Sequence, residues 1–302
     1  MVEVLTRAGC FIAIILLGYF LKKIGLFKDS DYSVLSTVVL KITLPAAIIT
    51  NVANKDIDLS LFTITLLGFA FGLIYVAAGF LLNLRNTKEQ RAFGILNLPG
   101  YNIGCFAMPF VQSFLGPTGV IATSLFDIGN AFVCLGGSFS IAKMVKDGGR
   151  FSLLRIIKTL LKSIPFLMYV IMPILCIAHV KIPSAVTTFV GIVGDANPFL
   201  AMFIIGVGFK MNANKSQIGS IIKILSVRYS VALLLALIVY FVLPFNPEIQ
   251  KVLMLLCFAP IGALVPAFTA ELGEDYGLSN AINSVSIICS IIFMTIILGI
   301  IA

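Results

Sequence analysis

The sequence has little charge, a single histidine and no tryptophan. Only 11% of its 302 residues are charged and 60% are hydrophobic, with a mean hydropathy of +1.10. A soluble globular domain carries about 25% charged residues, so this chain lacks the polar surface that water requires. The composition therefore predicts an integral membrane protein. Because strand-like alternation is also absent, helices are favoured over a membrane barrel.

The sequence also lacks the short motifs of enzymes and metal sites. Its six cysteines form no CxxC pair and lie in apolar stretches, which is typical of small buried hydrophobes. No Walker motif, HExxH or nucleophilic serine motif occurs, and Val193-Gly194-Asp195 has Ile192 where an aspartyl protease requires glycine. We therefore expect no enzyme activity, no cofactor and no metal, and we expect any transport to draw on a gradient rather than on ATP.

Ten apolar segments divide the chain, each close to the roughly 20 residues that cross a bilayer as a helix. The first ends in Lys22-Lys23 rather than at a small-residue cleavage site, which favours a first crossing over a signal peptide. The predicted segments are 6–21, 33–52, 60–82, 91–115, 118–144, 163–180, 184–209, 218–243, 249–272 and 278–301.

The basic residues predict an orientation. The odd-numbered loops, together with the segment ends that adjoin them, carry 16 of the 21 Lys and Arg residues, and such loops stay in the cytoplasm. Both termini are therefore expected outside, and the short loops favour a bacterial inner membrane. Because the net charge of +8 resides in these loops, no nucleic-acid partner is expected.

A basic cytoplasmic loop at 146–162 separates residues 1–145 from residues 163–302, with five predicted crossings on each side. An odd number of crossings inserts the two halves in opposite directions, as in an inverted repeat. Prolines support homology between the halves: Pro109 and Pro266 each lie six residues before a Leu-Gly, and Pro45 in segment 2 matches Pro198 in segment 7.

Segments 4 and 9 are expected to be broken within the membrane. Proline frees a backbone carbonyl, which is tolerated only where protein or a water-filled cavity surrounds the break. Two broken helices that cross would offer positive half-helix N-termini to a carboxylate. The alternative is a pair of kinked packing helices. The residues that signal the breaks are Pro99, Gly100, Asn102, Gly104 and Pro109 in segment 4, and Pro260, Gly262 and Pro266 in segment 9.

Several loose motifs occur in a specific order along most of the chain. They are Leu17-Gly18-Tyr19, Leu44-Pro45, Asn102-Ile103-Gly104, Asp127-Ile128-Gly129-Asn130 and Gly194-Asp195-Ala196. Together they resemble the auxin efflux carrier family, which includes bacterial malonate- and malate-type permeases and the plant PIN carriers, within the bile acid/auxin transporter superfamily.

The resemblance implies ten transmembrane helices as two inverted five-helix repeats, with broken helices 4 and 9 crossing each other. It implies a scaffold of helices 1, 2, 6 and 7, a transport unit of helices 3–5 and 8–10, and homodimerisation. It also implies export or exchange of a small organic anion. Because the long cytoplasmic loop of many plant carriers is missing, auxin itself is not favoured.

Polar residues within the segments are the candidate site residues, since charge is costly in a membrane. Asn102 resembles the family's substrate-contacting asparagine, or alternatively satisfies freed carbonyls. Asp127 and Asn130 lie one helical turn apart and can hold a coupling proton or sodium ion, or alternatively hydrogen-bond the broken helix 4. On segment 10, the further candidate cavity or cation ligands are Asn280, Asn283 and Ser284.

Further charged residues lie within the predicted segments. Asp195 either lines the substrate cavity with Asn197 or forms a structural ion pair with Lys41 across the scaffold. Arg228, early in segment 8, is expected to extend to the membrane interface.

The sequence thus predicts a secondary active transporter for a small organic anion such as a carboxylate, in contact with membrane lipid. The alternative is a transporter-like sensor or a channel on the same fold. The predicted substrate-binding residues are Asn102, Gly104, Pro109, Pro260, Pro266, Asp195 and Asn197, the ion-coupling residues are Asp127, Asn130 and Asn283, and the structural residues are Lys41, Pro45 and Pro198.

Overall fold

A computed structural model describes residues 2–210 and 215–301, and every regular element in these two ranges is helical. The first half contains α1 (Val2–Lys23), α2 (Asp31–Val38), α3 (Leu44–Val52), α4 (Thr63–Leu82), α5 (Lys88–Asn97), α6 (Met108–Phe114), α7 (Gly116–Phe132) and α8 (Ser138–Asp147). The second half contains α9 (Leu153–Lys162), α10 (Ile164–Ile177), α11 (Ser184–Asp195), α12 (Asn197–Gly208), α13 (Ile218–Phe241), α14 (Pro247–Cys257), α15 (Val265–Glu271) and α16 (Tyr276–Ile301).

The structure confirms an all-helical protein with helices suited to a membrane. By length and composition, 7 helical stretches of the described chain can cross a bilayer, or 8 if the bent pair α9–α10 forms one crossing. The long stretches correspond to predicted segments 1, 2, 3, 5, 7, 8 and 10, and α10 of the bent pair corresponds to segment 6. Segments 4 and 9 are each two shorter helices, so ten crossings in an inverted repeat stay a prediction.

The four matched prolines all lie in the first turn of a helix. Pro45, Pro109, Pro198 and Pro266 occupy N1 or N2 of α3, α6, α12 and α15. The first turn of α12 and α15 tolerates proline because its N–H groups have no partner within the helix. At the start of α3 and α6, the residue before the proline donates its N–H to the preceding turn, Leu44 to Val39 and Met108 to Ile103. In segments 2 and 4 a wide helical turn, at Val39–Thr43 and Ile103–Ala107, precedes the proline. The prolines therefore mark where the second part of a segment begins.

The region predicted as the basic loop 146–162 is largely helical. Helix α8 continues to Asp147, and the left-handed Gly148 ends it. Helix α9 then begins at Leu153, where the Arg155 N–H donates to the Ser152 hydroxyl at 3.3 Å. The loop prediction was wrong here because Leu and Ile recur at helical spacing between the basic residues. The predicted loop at 210–215 includes residues 211–214, which lie outside the described residues.

The helices pack closely around the centre of the molecule. Helix α1 packs on α12, and α3 packs on α10 and α11. Helix α4 packs on α7, and α13 packs on α14 and α16. A Cβ at Gly206 of α12 would overlap the carbonyl oxygen of Ile15, so only glycine allows this approach of α1. The short helices of segments 4 and 9 meet between these pairs.

Candidate functional site

The backbones of segments 4 and 9 meet where their helices are interrupted. Helix α5 ends at Asn97, and α14 ends at Cys257. Tyr101 and Ile261 then pair as an isolated antiparallel bridge, and the Asn102 N–H donates to the Pro260 carbonyl at 2.9 Å. The predicted breaks in both segments are therefore present, and they pair with each other.

An asparagine from the following segment supports each break. The Asn130 amide donates to the Tyr101 carbonyl and accepts from the Tyr101 N–H, both at 3.0 Å. The Asn283 amide donates to the carbonyls of Ile261 and Gly262, both at 3.1 Å. Backbone groups left unpaired in a membrane interior cost several kcal/mol. Hydrogen bonding to the broken helix, one of the two predicted alternatives for Asn130, is thus the role that both asparagines have.

Arg228 joins the two breaks, and its predicted position at the interface was wrong. Its side chain is only 1% exposed. The guanidinium donates to the carbonyls of Leu98 and Gly100 beside the first break, the latter at 3.1 Å, and to that of Ala259 beside the second at 2.8 Å. The sequence shows one arginine near a helix end; it does not show that carbonyls of two distant breaks converge there.

The environment of Arg228 holds its positive charge in the interior. The guanidinium lies 5.0 Å from the centre of the Tyr75 ring and 5.4 Å from that of Tyr101, distances at which a cation is attracted to an aromatic face. Among the residues described, no carboxylate forms an ion pair with it. A buried charge without a counter-ion is costly, and a bound anion would offset that cost.

A cavity of about 200 Å³ lies beside the paired breaks. The Asn102 side chain faces it and makes no hydrogen bond within the described chain, and the same holds for Asn280. Asn283 and Ser284 add polar groups to the wall. The cavity is lined by Asp29, Tyr32, Asn102, Cys105, Ile204, Ile205, Val207, Gly208, Phe209, Lys210, Ala263, Pro266, Ala267, Tyr276, Asn280, Asn283, Ser284 and Ile287.

Charged side chains surround the mouth of this cavity. Asp29 lies between Lys22 at 2.8 Å and Lys210 at 2.9 Å. Hydrogen bonds from these two ammonium groups lower the pKa of Asp29 from its ordinary 3.8 to about 2. The carboxylate is therefore ionised at neutral pH, and the three groups together carry a net positive charge.

Only part of the predicted substrate set lines the cavity. Asn102 and Pro266 do, whereas Gly104, Pro109 and Asn197 do not. Gly104 lies against Leu44, where a Cβ would come within 2.9 Å of a methyl group. Pro260 contributes its carbonyl to the pairing of the breaks rather than a lining surface.

Asn197 instead belongs to a buried hydrogen-bond chain. It accepts from the Thr43 hydroxyl at 3.1 Å and donates to the Gln112 side chain at 3.4 Å. Gln112 in turn donates to the Gly194 carbonyl at 3.3 Å. The chain links segments 2, 4 and 7.

The remaining predicted residues do not line the cavity. Asp195 and Lys41 are exposed, and no ion pair joins them in the part of the chain that the structure describes. Asp127 is half-buried and accepts from the Asn130 amide at 2.7 Å. No group of three or more metal-ligating acids, cysteines or histidines occurs within residues 2–210 and 215–301.

The apolar helices and the paired backbone breaks define a helical integral membrane protein. Residues 10–147 match the model of a family described as membrane transport protein. The match confirms the predicted resemblance over residues 10–147, and membrane transport is the function that the description of this family indicates. No curated protein matches the chain.

Proposed function

We propose that this protein is a secondary active transporter that moves a small organic anion, such as a carboxylate, by alternating access at the paired breaks. The observation that carries the proposal is the unpaired amide of Asn102, which faces a cavity beside the paired breaks. The two breaks are joined by a buried arginine that has no ion-pair partner among the described residues. An amide donates hydrogen bonds to a carboxylate, and a fixed positive charge in a low-dielectric site attracts it.

The charges around the cavity favour an anion over a cation. Asp29 is the only acid among its described lining residues, and two lysines already neutralise it. Asn102 and Asn280 offer free amide donors deeper in the cavity. A cationic substrate would have no free carboxylate to pair with, and the buried positive charge of Arg228 would repel it.

The architecture that we propose has ten crossings in two inverted repeats, residues 1–145 and 163–302. Asn130 and Asn283 support it, since each lies on the last segment of its half and each holds the break of the preceding segment. In this arrangement helices 1, 2, 6 and 7 form the scaffold and the others form the transport unit. Discontinuous helices that meet in mid-membrane are a common binding site of inverted-repeat carriers.

The proposed orientation places both termini outside and the odd-numbered loops in the cytoplasm of a bacterial cell. Asp29 and Lys210 at the cavity mouth belong to loops 1 and 7, and Tyr276 follows loop 9. The cavity would then open inward. A proton or sodium gradient would drive the cycle, with Asp127 and Asn130 as candidate coupling residues.

The test is uptake of labelled malate, malonate, succinate, lactate and an indole carboxylate by proteoliposomes, with and without imposed proton or sodium gradients. We expect saturable uptake of at least one carboxylate that responds to a gradient. Asn102→Ala should reduce this uptake at least about tenfold, because a lost hydrogen bond to a charged group costs about 1.5–3 kcal/mol.

The matched control is Asn86→Ala, an exposed loop asparagine whose amide contacts only Asn83. It should leave uptake unchanged. Normal kinetics in folded Asn102→Ala would remove that residue from the site. Binding without flux under every gradient would contradict the transporter proposal in favour of a sensor, and current that does not saturate would favour a channel.

A further inference from the structure

The short helix α9 divides its side chains among three faces. Ile156 and Leu160 are buried against Ala131 and Phe166. The next face presents exposed apolar side chains, namely Leu153, Leu154, Ile157 and Leu161. The remaining face carries Arg155, Lys158, Thr159 and Lys162. Because successive residues turn by about 100°, these sets form separate stripes along the helix.

The position of α9 relative to α10 fits the membrane interface. The two helices meet at Ser163 with a bend of 81°, and α10 is the apolar partner. If α10 crosses the bilayer, the bend turns α9 toward the membrane plane. The exposed leucines then contact hydrocarbon while the basic stripe lies among the headgroups, which is the usual placement of an amphipathic interfacial helix.

A shallow surface cavity, open on one side, lies along the basic stripe. Its lining residues are Ser152, Leu154, Arg155, Lys158, Thr159 and Lys162. Lys158 and Lys162 form no ion pair with any described residue. Arg155 is held in place by both carboxylate oxygens of Glu271, at 2.7 and 2.8 Å. Two free ammonium groups thus share one small cavity with a fixed guanidinium.

We propose that this cavity binds the phosphate headgroup of an anionic phospholipid. Phosphate oxygens accept hydrogen bonds, and the free lysines supply both donors and charge. The leucine stripe beside them would contact the acyl chains of the same lipid. A free phosphate ion would use the lysines alone, so the apolar stripe is what favours a lipid.

The test uses the full chain, purified in a neutral detergent and titrated with phosphatidylglycerol or phosphatidylcholine, with bound lipid counted by native mass spectrometry. We expect selective retention of phosphatidylglycerol. Lys158→Gln with Lys162→Gln should weaken it about thirtyfold, since each lysine near an anionic surface contributes about a fivefold effect. Both side chains are exposed, so the fold should survive; the melting temperature checks this.

The matched control removes the same charge from another loop: Arg85→Gln with Lys88→Gln, both exposed. It should leave lipid binding intact. An equal loss in the control would overturn the proposal, because the binding would then follow net charge alone. A second pair, Leu154→Ser with Leu161→Ser, should weaken lipid binding but not binding of inorganic phosphate. Phosphate binding as tight as lipid binding, or lipid binding unaffected by the leucine changes, would also overturn it.

Discussion

The two backbone breaks are held in the same way but differ in their surroundings. Each accepts hydrogen bonds from an asparagine of the next segment, Asn130 for the first and Asn283 for the second. Asn130 is 1% exposed and closed in by protein, whereas Asn283, at 9%, forms part of the cavity wall. The asparagine that holds the break is therefore purely structural in the first half, whereas in the second half it also lines the cavity.

The comparison shows how a transporter can keep irregular backbone inside a membrane. The first break is held by protein groups, and it contributes only Asn102 and Cys105 to the cavity lining. The second break contributes a stretch of wall that includes Ala263 and Pro266. Arg228 donates hydrogen bonds to carbonyls at both breaks. Its removal should therefore weaken both breaks at once.

Replacing Arg228 is expected to give the largest effect. Arg228→Ala removes donors to three buried carbonyls, each charge-assisted hydrogen bond contributing about 1.5–3 kcal/mol. We expect a loss of at least about 3 kcal/mol, or failure to fold, while Arg228→Lys should retain part of the stability because the charge remains. The chain has no tryptophan, so unfolding is best followed with a thiol-reactive dye that reports the four buried cysteines.

Arg85→Ala, an exposed arginine in a loop, is the control and should not change the melting temperature. If Arg228→Ala unfolds at the temperature of the unmodified protein, the guanidinium is not what holds the breaks together.

The second prediction compares the two asparagines directly. Asn130→Ala leaves the Tyr101 N–H and carbonyl unpaired in a closed interior, at about 1–3 kcal/mol for each orphaned group. Asn283→Ala removes the donor to the Ile261 carbonyl, while the Gly262 carbonyl still accepts from the Val265 N–H. Cavity water can also reach this wall and replace the lost donor. Asn130→Ala should therefore lower the melting temperature more than Asn283→Ala does. The measurement is the same thiol-dye assay, with Asn86→Ala as the control. Equal losses would show that access to the cavity does not matter.

The sequence predicted the features of this fold that depend on local chemistry. Apolar runs of membrane length and prolines in matched positions indicated the helical segments and the two breaks. Proline acts on its own backbone, so its effect is visible without tertiary contacts. A hydrogen bond from Asp127 and Asn130 to the broken helix 4 was one of two alternatives, because their spacing placed both on one face of segment 5.

The features that the sequence did not reveal depend on contacts between distant segments. Arg228 resembles an interfacial arginine until carbonyls 31 and 130 residues away converge on it. Helix α9 was taken for a loop since its basic residues hid the apolar spacing. The proline motif located the breaks, but it did not show which side chains of the cavity wall would lack a hydrogen-bond partner. Asn280, which has none in the described chain, was predicted only as one of a group of three polar residues.

The smallest effect is expected at the cavity mouth, where Asp29 is 60% exposed between two lysines. Because water and salt screen such ion pairs, Asp29→Asn should cost no more than about 1 kcal/mol at pH 7. The pKa of Asp29 is lowered from 3.8 to about 2 in the folded protein. The unfolded state therefore binds the proton more tightly, and the stabilisation is complete above pH 3.8 and lost as the pH falls through about 2. Melting temperatures of the two proteins should differ slightly at pH 7 and converge toward pH 2. A difference that persists in acid, or one as large as that of Arg228→Ala, would show that the mouth is a buried structural centre like the paired breaks rather than a solvated cluster.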